Sequence, residues 1–433
     1  MSDDWSANGV EALQLRLVRS KEDTHALAEE DQPLIEAFSP GFVYPIYGEE
    51  ETIFGYRGLS IDYRFASGSL AQYLHISYDA KFPETPTVKA DDPEKTLYEF
   101  IPPSYAKVLP EFEKTVEKDA REFRPLGSKI GAYRMRPAGR GKGKGKAQAG
   151  SLPERTWEKV EEGEGDDDTV LYEAYWSNWD TPGFREFHRR AQIFVLLYIE
   201  GASYIDEEDA RWEFVTLFER RKRGDTISYH FAGYVSFYSF FCWPDTKRLR
   251  LAQFVLLPIY HGQGHGSALY NLCYRNILSR DEISELTGLS TTPRHTPCCR
   301  ADPNIVVEDP SETFEDMRDK CDLYTLLEGG DLKGLSAPVD RAFAESIRKK
   351  YKLADRQFYR LVEMILLLTL SVPPTSADAA AKAFRLTVKK RLYLFNKEQL
   401  LQIEEKDERK AKLQETFESV VSDYRRLTEK YSV

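Results

Sequence analysis

Leu13-Gln14-Leu15-Arg16-Leu17-Val18 places an apolar residue at every second position, the period of a half-buried strand. Phe42-Val43-Tyr44-Pro45-Ile46 and Leu59-Ser60-Ile61-Asp62-Tyr63 are rich in β-branched and aromatic residues and predict two further strands. Tyr98–Lys118 reads as a weaker, mostly helical stretch. Phe184–Ala202 gathers Phe187, Ile193, Leu196 and Leu197 on one helical face. Trp212–Phe218 predicts a strand and Arg220–Asp225 a charged turn. Ala232–Phe241 and Leu249–Leu257 then form a β-meander around the polar turn Pro244–Lys247. Helices are expected over Gly264–Arg280 and Ser311–Glu328, with a short strand, Ile305-Val306-Val307, between them. From Pro338 onward the pattern is helical. Arg356–Leu370 has a broad apolar face, and Leu413, Phe417, Val420, Tyr424 and Leu427 recur at 4-3-4-3 spacing. That stripe suits an intramolecular packing face or a partner-binding coiled coil.

Two stretches interrupt these patterns. Residues 129–168 hold G-R-G-K-G-K-G-K at 139–146 and E-E-G-E-G-D-D-D at 161–168. So few apolar residues and so much glycine predict a flexible surface insertion; a nuclear-localisation patch or histone-mimicking tail is the sharper alternative. Gly288–Asn304, rich in Thr, Pro and Arg, reads as a loop inserted between helix and strand. The resulting organisation is an N-terminal β-rich domain over 8–128, an insertion and linker over 129–183, a mixed α/β core over 184–335 and a helical domain over 336–433.

Composition narrows the classes. A chain of 433 residues has room for two or three domains, and 41% hydrophobic residues suffice for a core. The longest apolar run, Leu361–Leu370, contains Glu363 and is about half of the ~20 residues a membrane span needs. Met1–Ala7 carries acids and no apolar stretch, so no signal peptide is expected. Five cysteines, with Cys298 and Cys299 adjacent, are no disulfide framework and point to a reducing compartment, cytosol or nucleus. The net charge of −11 argues against direct DNA binding and favours a basic partner.

Candidate chemistry concentrates in Q-F-V-L-L-P-I-Y-H-G-Q-G-H-G-S-A-L-Y, residues 253–270. A strand, Pro258, a glycine-rich turn and an amphipathic helix follow one another. Gly262, Gly264 and Gly266 permit positive φ and close approach of a ligand, and the free amides at a helix N-terminus attract phosphate. The spacing is neither G-x-G-x-x-G nor a P-loop. Cys273 and Cys321 read as ordinary helix cysteines, and no metal-ligand spacing is present.

The turn resembles motif A of the GNAT acetyltransferases, R/Q-x-x-G-x-G/A, falling on His261–Gly266 with His261 where the superfamily has Gln or Arg. Beyond it, Y-P-I-Y-G-E-E-E at 44–51, H-R-R-A-Q-I-F at 188–194, A-S-Y-I-D at 202–206, G-H-G-S at 264–267, V-E-D-P at 307–310 and R-Q-F-Y-R-L-V-E-M at 356–364 resemble, in order, the type B histone acetyltransferase catalytic subunits. The resemblance implies an α/β (α+β) fold with a GNAT core and acetyl-coenzyme A as co-substrate, with no metal. It places cofactor contacts on Phe254, Val255, Leu256, His261, Gly262, Gln263, Gly264, His265, Gly266, Ser267 and Ser311.

Acetyl transfer to a lysine requires removal of a proton, because an ammonium of pKa about 10.4 is no nucleophile. The resemblance puts the general base at Glu308, with Asp309 tuning or assisting it; read from the residues alone, both acids could equally cap the helix that follows. It implies as substrate the tail of newly made histone H4, bound by Glu49, Glu50 and Glu51 and by Trp212, Phe241, Cys242 and Trp243. It also implies a WD40 histone-chaperone partner, no membrane, and a cytoplasmic and nuclear location. A GNAT enzyme acting on a protein N-terminus or polyamine, and a non-catalytic histone-binding module, are the competing expectations.

Overall fold

The computed structural model describes residues 5–83, 85–135, 157–159, 170–288 and 311–431. Near the N-terminus, β1 (Leu13–Val18), β2 (Ser60–Ala66) and β3 (Gln72–Ser77) form a three-stranded sheet in that order, with β1 parallel and β3 antiparallel to β2. The expected alternation is observed: Leu13, Leu15, Leu17, Ile61, Tyr63 and Phe65 are all buried.

Among the described residues the central sheet has seven strands. They are β4 (Ser128–Met135), β5 (Trp157–Lys159), β6 (Val170–Asn178), β7 (Trp212–Arg223), β8 (Thr226–Cys242), β9 (Thr246–Leu256) and β10 (Ile283–Thr287). Their order is β10-β9-β8-β7-β6-β4-β5. Only the β9–β10 pair is parallel, so the sheet is mixed, as the fold-class expectation requires. Helix α1 (Leu109–Glu122) packs against β2 and β3, while α2 (Phe184–Ala191) and α3 (Ile193–Tyr198) lay Phe187 and Phe194 against Phe231 of β8. Helix α4 (His265–Leu278) leaves the glycine turn and packs on β4, where an added Cβ at Gly131 would lie 2.8 Å from Leu272.

The C-terminal half supplies α5 (Glu312–Gly329), α6 (Arg341–Lys350), α7 (Asp355–Leu368), α8 (Ala379–Phe395) and α9 (Lys406–Thr428). Polar side chains knit these helices to α4. The Tyr270 hydroxyl donates to Asp322 at 2.7 Å, Gln357 donates to Asp319 and Asp322, and Arg360 bridges Asp319 and Asp423. Phe417, Tyr424 and Leu427 of α9 are buried, so the 4-3-4-3 stripe is an intramolecular face. One continuous apolar core runs from Ala12 to Leu427. Among the described residues no helix is long and apolar enough to cross a membrane.

Several expectations are corrected. Phe42–Ile46 is not a strand: Tyr44–Tyr47 forms a helical turn. Pro45 suits a first turn, where no amide hydrogen is needed, and Glu51 accepts from the Val43 and Tyr44 amides. Tyr98–Lys118 resolves into the end of one helix, Pro93–Tyr98, a loop, and α1. Phe184–Ala202 breaks at Gln192 into α2 and α3. Three strands of the central sheet, β4, β5 and β6, lie in the stretch read as insertion and linker (Ser128 alone precedes it), so the core sheet begins at Ser128 rather than residue 184. Arg220–Arg223 continues β7 instead of turning, because its charges are paired: Arg221 with Asp31 and Glu219, Arg223 with Asp23. The Ile305–Val307 strand, the Gly288–Asn304 loop and the 139–146 and 161–168 runs lie outside the described residues.

The N-terminal sheet is fastened to the core by charge. Arg19, immediately after β1, donates from both terminal nitrogens to Glu219 of β7 at 3.1 and 2.7 Å, and neither side chain is exposed at all. Burial alone would push the Glu219 carboxyl up, but the Arg19 and Arg221 guanidiniums hold it well below the usual range. Removing one partner of such a pair strands a charge and costs roughly 3–5 kcal/mol, while replacing both is much milder. Arg19→Met is therefore expected to lower unfolding free energy by about 3 kcal/mol, with Arg221 still holding Glu219. Arg19→Met/Glu219→Leu should recover most of that loss. Urea denaturation of the two variants checks this, and a double variant no better than the single one contradicts it.

Candidate functional site

The site grows from the edge of β9. Strand β10 ends at Thr287, opposite Arg250, so Leu251–Leu256 has no strand on that side among the described residues. On that side the strand edge offers backbone groups that a ligand could pair with, save the Leu256 carbonyl, which His261 takes. Phe254 and Leu256 are only partly buried, while Val255 between them is buried. The Phe254 ring lies 5.3 Å from Phe314 of α5. An added Cβ at Gly266 would lie 2.8 Å from the Met317 sulfur, 3.5 Å from Leu256 and 3.9 Å from Phe254. The side chains of Phe254 and Leu256 therefore join strand, α4 and α5, and Gly266 is small because the two helices meet there.

The turn itself is a short 3₁₀ segment, Pro258–Tyr260, followed by His261–Gly264. Gly262 (φ 73°) and Gly264 (φ 98°) occupy the left-handed region, which costs a non-glycine residue free energy. An added Cβ at Gly262 would meet nothing within 4 Å, so open space lies beside the backbone. Gly264 is the N-cap of α4 and offers no side chain, leaving the first amides of a fourteen-residue helix free for an anion. His261 is exposed and its Nε2 hydrogen-bonds to the Leu256 carbonyl at 2.8 Å; the Gln263 amide donates to the Ile259 carbonyl at 3.2 Å. Ser267 is half-buried and gives its carbonyl to Asn271. Ser311 caps α5, accepting from the Phe314 amide.

His265 differs from the other predicted cofactor residues. Its side chain is turned into the core, with Nδ1 2.8 Å from the Tyr133 hydroxyl and its ring 4.3 Å from that of Tyr172. Burial pushes the imidazole down to about 4. Only its backbone can serve a ligand.

The expected substrate residues lie in two places. Glu49 and Glu50 are exposed in the turn after Tyr47, whereas Glu51 uses one carboxylate oxygen as the helix cap described above. At the far end of the sheet, Trp212 pairs with Tyr238 and packs edge-on at 4.8 Å. Phe241 and Trp243 are 64% and 79% exposed at the tip of the β8–β9 hairpin, with Cys242 between them half-buried. The segment 199–211 spans the two: Gly201 donates its amide to the Tyr44 hydroxyl, Ser203 accepts from Gln253 of β9, and Asp209 accepts from the Tyr238 hydroxyl. Glu308 and Asp309 lie outside the described residues.

The profile described as histone acetyl transferase HAT1 N-terminus matches residues 5–200, and that of the fungal HAT1 C-terminal region matches residues 319–371. A histone acetyltransferase type B catalytic subunit of Cryptococcus neoformans var. neoformans serotype D is 47% identical, covering 98% of this chain and 97% of that protein. The chain belongs to the histone acetyltransferase type B catalytic subunit family. A Mycosarcoma maydis relative of the same name is 43% identical over 98% of this chain and 88% of its own, and one from Eremothecium gossypii is 32% identical over 98% and 92%. Among the described residues, the β9 edge without a partner strand lies beside the N-terminal turns of α4 and α5. What sequence reasoning missed is the aromatic and charged layer beneath the turn: Tyr133, Tyr172, Glu219 and Tyr260. Tyrosines in apolar strands carry no sequence signal that separates them from core.

Three buried histidines give this layer and its surroundings a pH signature. Burial lowers His188 to about 3 and His265 to about 4, and holds His230 well below its ordinary value. An unfolded histidine titrates near 6.5. Below that pH the unfolded chain binds protons that the native state refuses. Stability is thus full above about pH 6.5 and falls with pH, by about 1.4 kcal/mol per unit for each histidine. Urea denaturation between pH 7.5 and 5 should show this slope, and His265→Phe should reduce it by about one histidine's share. A slope unchanged in His265→Phe contradicts the buried neutral ring.

Proposed function

We propose that the chain transfers acetyl from acetyl-coenzyme A to a lysine of the histone H4 tail by direct attack, with Glu308 as general base. The observation that carries the cofactor half is the union of a strand edge, Leu251–Leu256, with no partner strand on that side among the described residues, with a positive-φ glycine turn at the head of α4. Bound there, acetyl-coenzyme A supplies the activated thioester. The β9 backbone would hold its pantetheine arm, and the amides of His265, Gly266 and Ser267 its pyrophosphate. The metal-free chemistry expected from the sequence needs nothing further from the protein than positioning, an oxyanion donor and a base.

The substrate half is supported by Glu49 and Glu50, exposed acids suited to a lysine-rich tail, and by the aromatic end of the sheet around Trp212, Phe241 and Trp243. Glu51 contributes through the turn it caps. Relatives named as histone acetyltransferases favour this substrate over a polyamine or a protein N-terminus. A WD40 histone chaperone is the partner this reading expects, and a shared nuclear and cytoplasmic life accords with handling newly made histone.

Glu308→Gln tests the base. The substitution keeps size and hydrogen bonding but accepts no proton, so kcat on an H4-tail peptide should fall roughly 10²–10⁴-fold near neutral pH. Coenzyme A affinity should stay unchanged. The deficit should shrink as pH approaches the lysine value of about 10.4, where free amine appears unaided. A near-normal kcat at pH 7 would reduce Glu308 to a helix cap, and a deficit constant with pH would make it a positioning group. Asp309→Asn is expected to cost less.

The acidic edge is tested by Glu49→Lys/Glu50→Lys, which leaves the structural Glu51 in place. Exposed charges contribute about 0.2–1 kcal/mol each, so KM for the H4 peptide should rise several-fold at low salt and converge on wild type at high salt. An unaltered KM at low salt removes this edge from the binding groove.

A further inference from the structure

The cofactor turn is held from below by a residue that touches no ligand. We propose that Tyr260 is a positioning residue that couples the affinity of the glycine turn for coenzyme A to the buried Arg19–Glu219 pair, and through it to the seating of the N-terminal sheet. The inference rests on the pyrophosphate reading given above and deepens it.

The geometry is a chain of fixed contacts. Tyr260 is fully buried, donates its hydroxyl to Glu219 Oε2 at 2.9 Å and accepts from Arg19 Nη2 at 3.3 Å. Its ring stands perpendicular to His265 at 5.6 Å and to Tyr172 at 6.2 Å. His265 is itself fixed by Tyr133 and Tyr172. Between the two anchored rings lie only His261, Gly262, Gln263 and Gly264, two of them glycines at positive φ. Glycine gives such a segment many alternatives to the bound shape. Rings clamped at both ends remove those alternatives before the ligand arrives, and pre-organisation of this kind raises affinity by cutting the ordering cost.

The partners on the opposite side explain the reach of the effect. Arg19 follows β1 of the N-terminal sheet, and Glu219 sits on β7 of the central sheet. Arg221, from the same strand, carries the charge onward to Asp31. A shift of the N-terminal sheet therefore moves Arg19, and the hydroxyl of Tyr260 loses one of its two fixed partners. The turn's amides are aimed by a charge pair that spans two sheets.

Tyr260→Phe keeps the ring and deletes only the hydroxyl. Calorimetry with coenzyme A should show roughly three- to tenfold weaker binding, because only part of the lost hydrogen bond's free energy passes through the turn to the ligand. KM for acetyl-coenzyme A should rise by a similar factor, with KM for the H4 peptide and kcat at saturation unchanged. Arg19→Met/Glu219→Leu, which strands no charge, should weaken coenzyme A to the same degree. Adding Tyr260→Phe to it should weaken binding no further, because both act on one link. A Tyr260→Phe protein that melts lower but binds coenzyme A as wild type overturns the proposal. Equal rises in both KM values also overturn it, since they report general loosening. Gly266→Glu separates this proposal from the reading beneath it. Its added side chain displaces the flexible end of Met317 and opposes an anion by charge and size. If a folded Gly266→Glu protein retains coenzyme A affinity, the pyrophosphate reading itself fails. If it loses affinity while Tyr260→Phe does not, only the coupling fails.

Discussion

A buried carboxylate with no exposed surface can persist only if its charge is answered on the spot. Glu219 is answered from three directions: Arg19 from the N-terminal sheet, Arg221 from two residues along its own strand, and the Tyr260 hydroxyl from the turn that leads into α4. Apolar packing joins these elements in one core, and the bidentate pair adds the directional constraint that apolar contact lacks. It ties the end of β1 to β7, and through Tyr260 it ties the turn to the sheet. Around it a second polar cluster, with Ser67 on His230 Nδ1 and Ser228 on Asp23, extends the same junction.

Much of this was legible in the residue pattern. Period-two alternation located β1 to the residue, and the strand–turn–helix reading of 253–280 matched β9, the glycine turn and α4. The turn was legible because its requirement is local: Gly262 and Gly264 adopt φ values that other residues avoid. The Glu219 junction was not, because its partners are two hundred residues apart in sequence. From sequence alone, F-E-R-R-K-R looks like a solvated turn, since nothing in it reveals that Arg19 and Asp31 neutralise the charges. Phe42–Ile46 misled for a related reason. Its aromatic and β-branched composition favours a strand, and the helical turn exists because Glu51, further along the chain, caps it.

Glu51 also shows why adjacent like residues need not share a role. In a run of three glutamates, composition assigns one function to all. The fold exposes Glu49 and Glu50 and turns Glu51 back onto two backbone amides. Its positive φ of 49° marks the point where the chain reverses. The acidic character presented to a basic tail is therefore that of two residues standing on a third. His265 parallels this within G-H-G-S: the motif is contiguous, yet Gly264 takes the left-handed cap of α4, Gly266 packs against Met317, and the imidazole faces the core.

Helices α7 and α9 carry none of the predicted contacts, yet they brace one wall of the site. The N-terminal turns of α5 bring Phe314 against Phe254 of β9 and Met317 against Gly266. Phe314, Cys321, Leu323 and Leu326 bind α5 into the apolar core. Its polar positions are fixed as well, where Asp316, Asp319 and Asp322 meet Arg426, Arg360, Gln357 and Tyr270. Three carboxylates spaced at three-residue intervals on one helix repel one another unless each is paired. Arg318 and Lys320 of α5 itself answer Asp322 and Asp316, while α7 and α9 add Arg360 at Asp319 and Arg426 at Asp316. The long final helix thus acts on the site through charge balance along α5. The N-terminal sheet acts on it by the same physics through Glu219, from the other side of the turn.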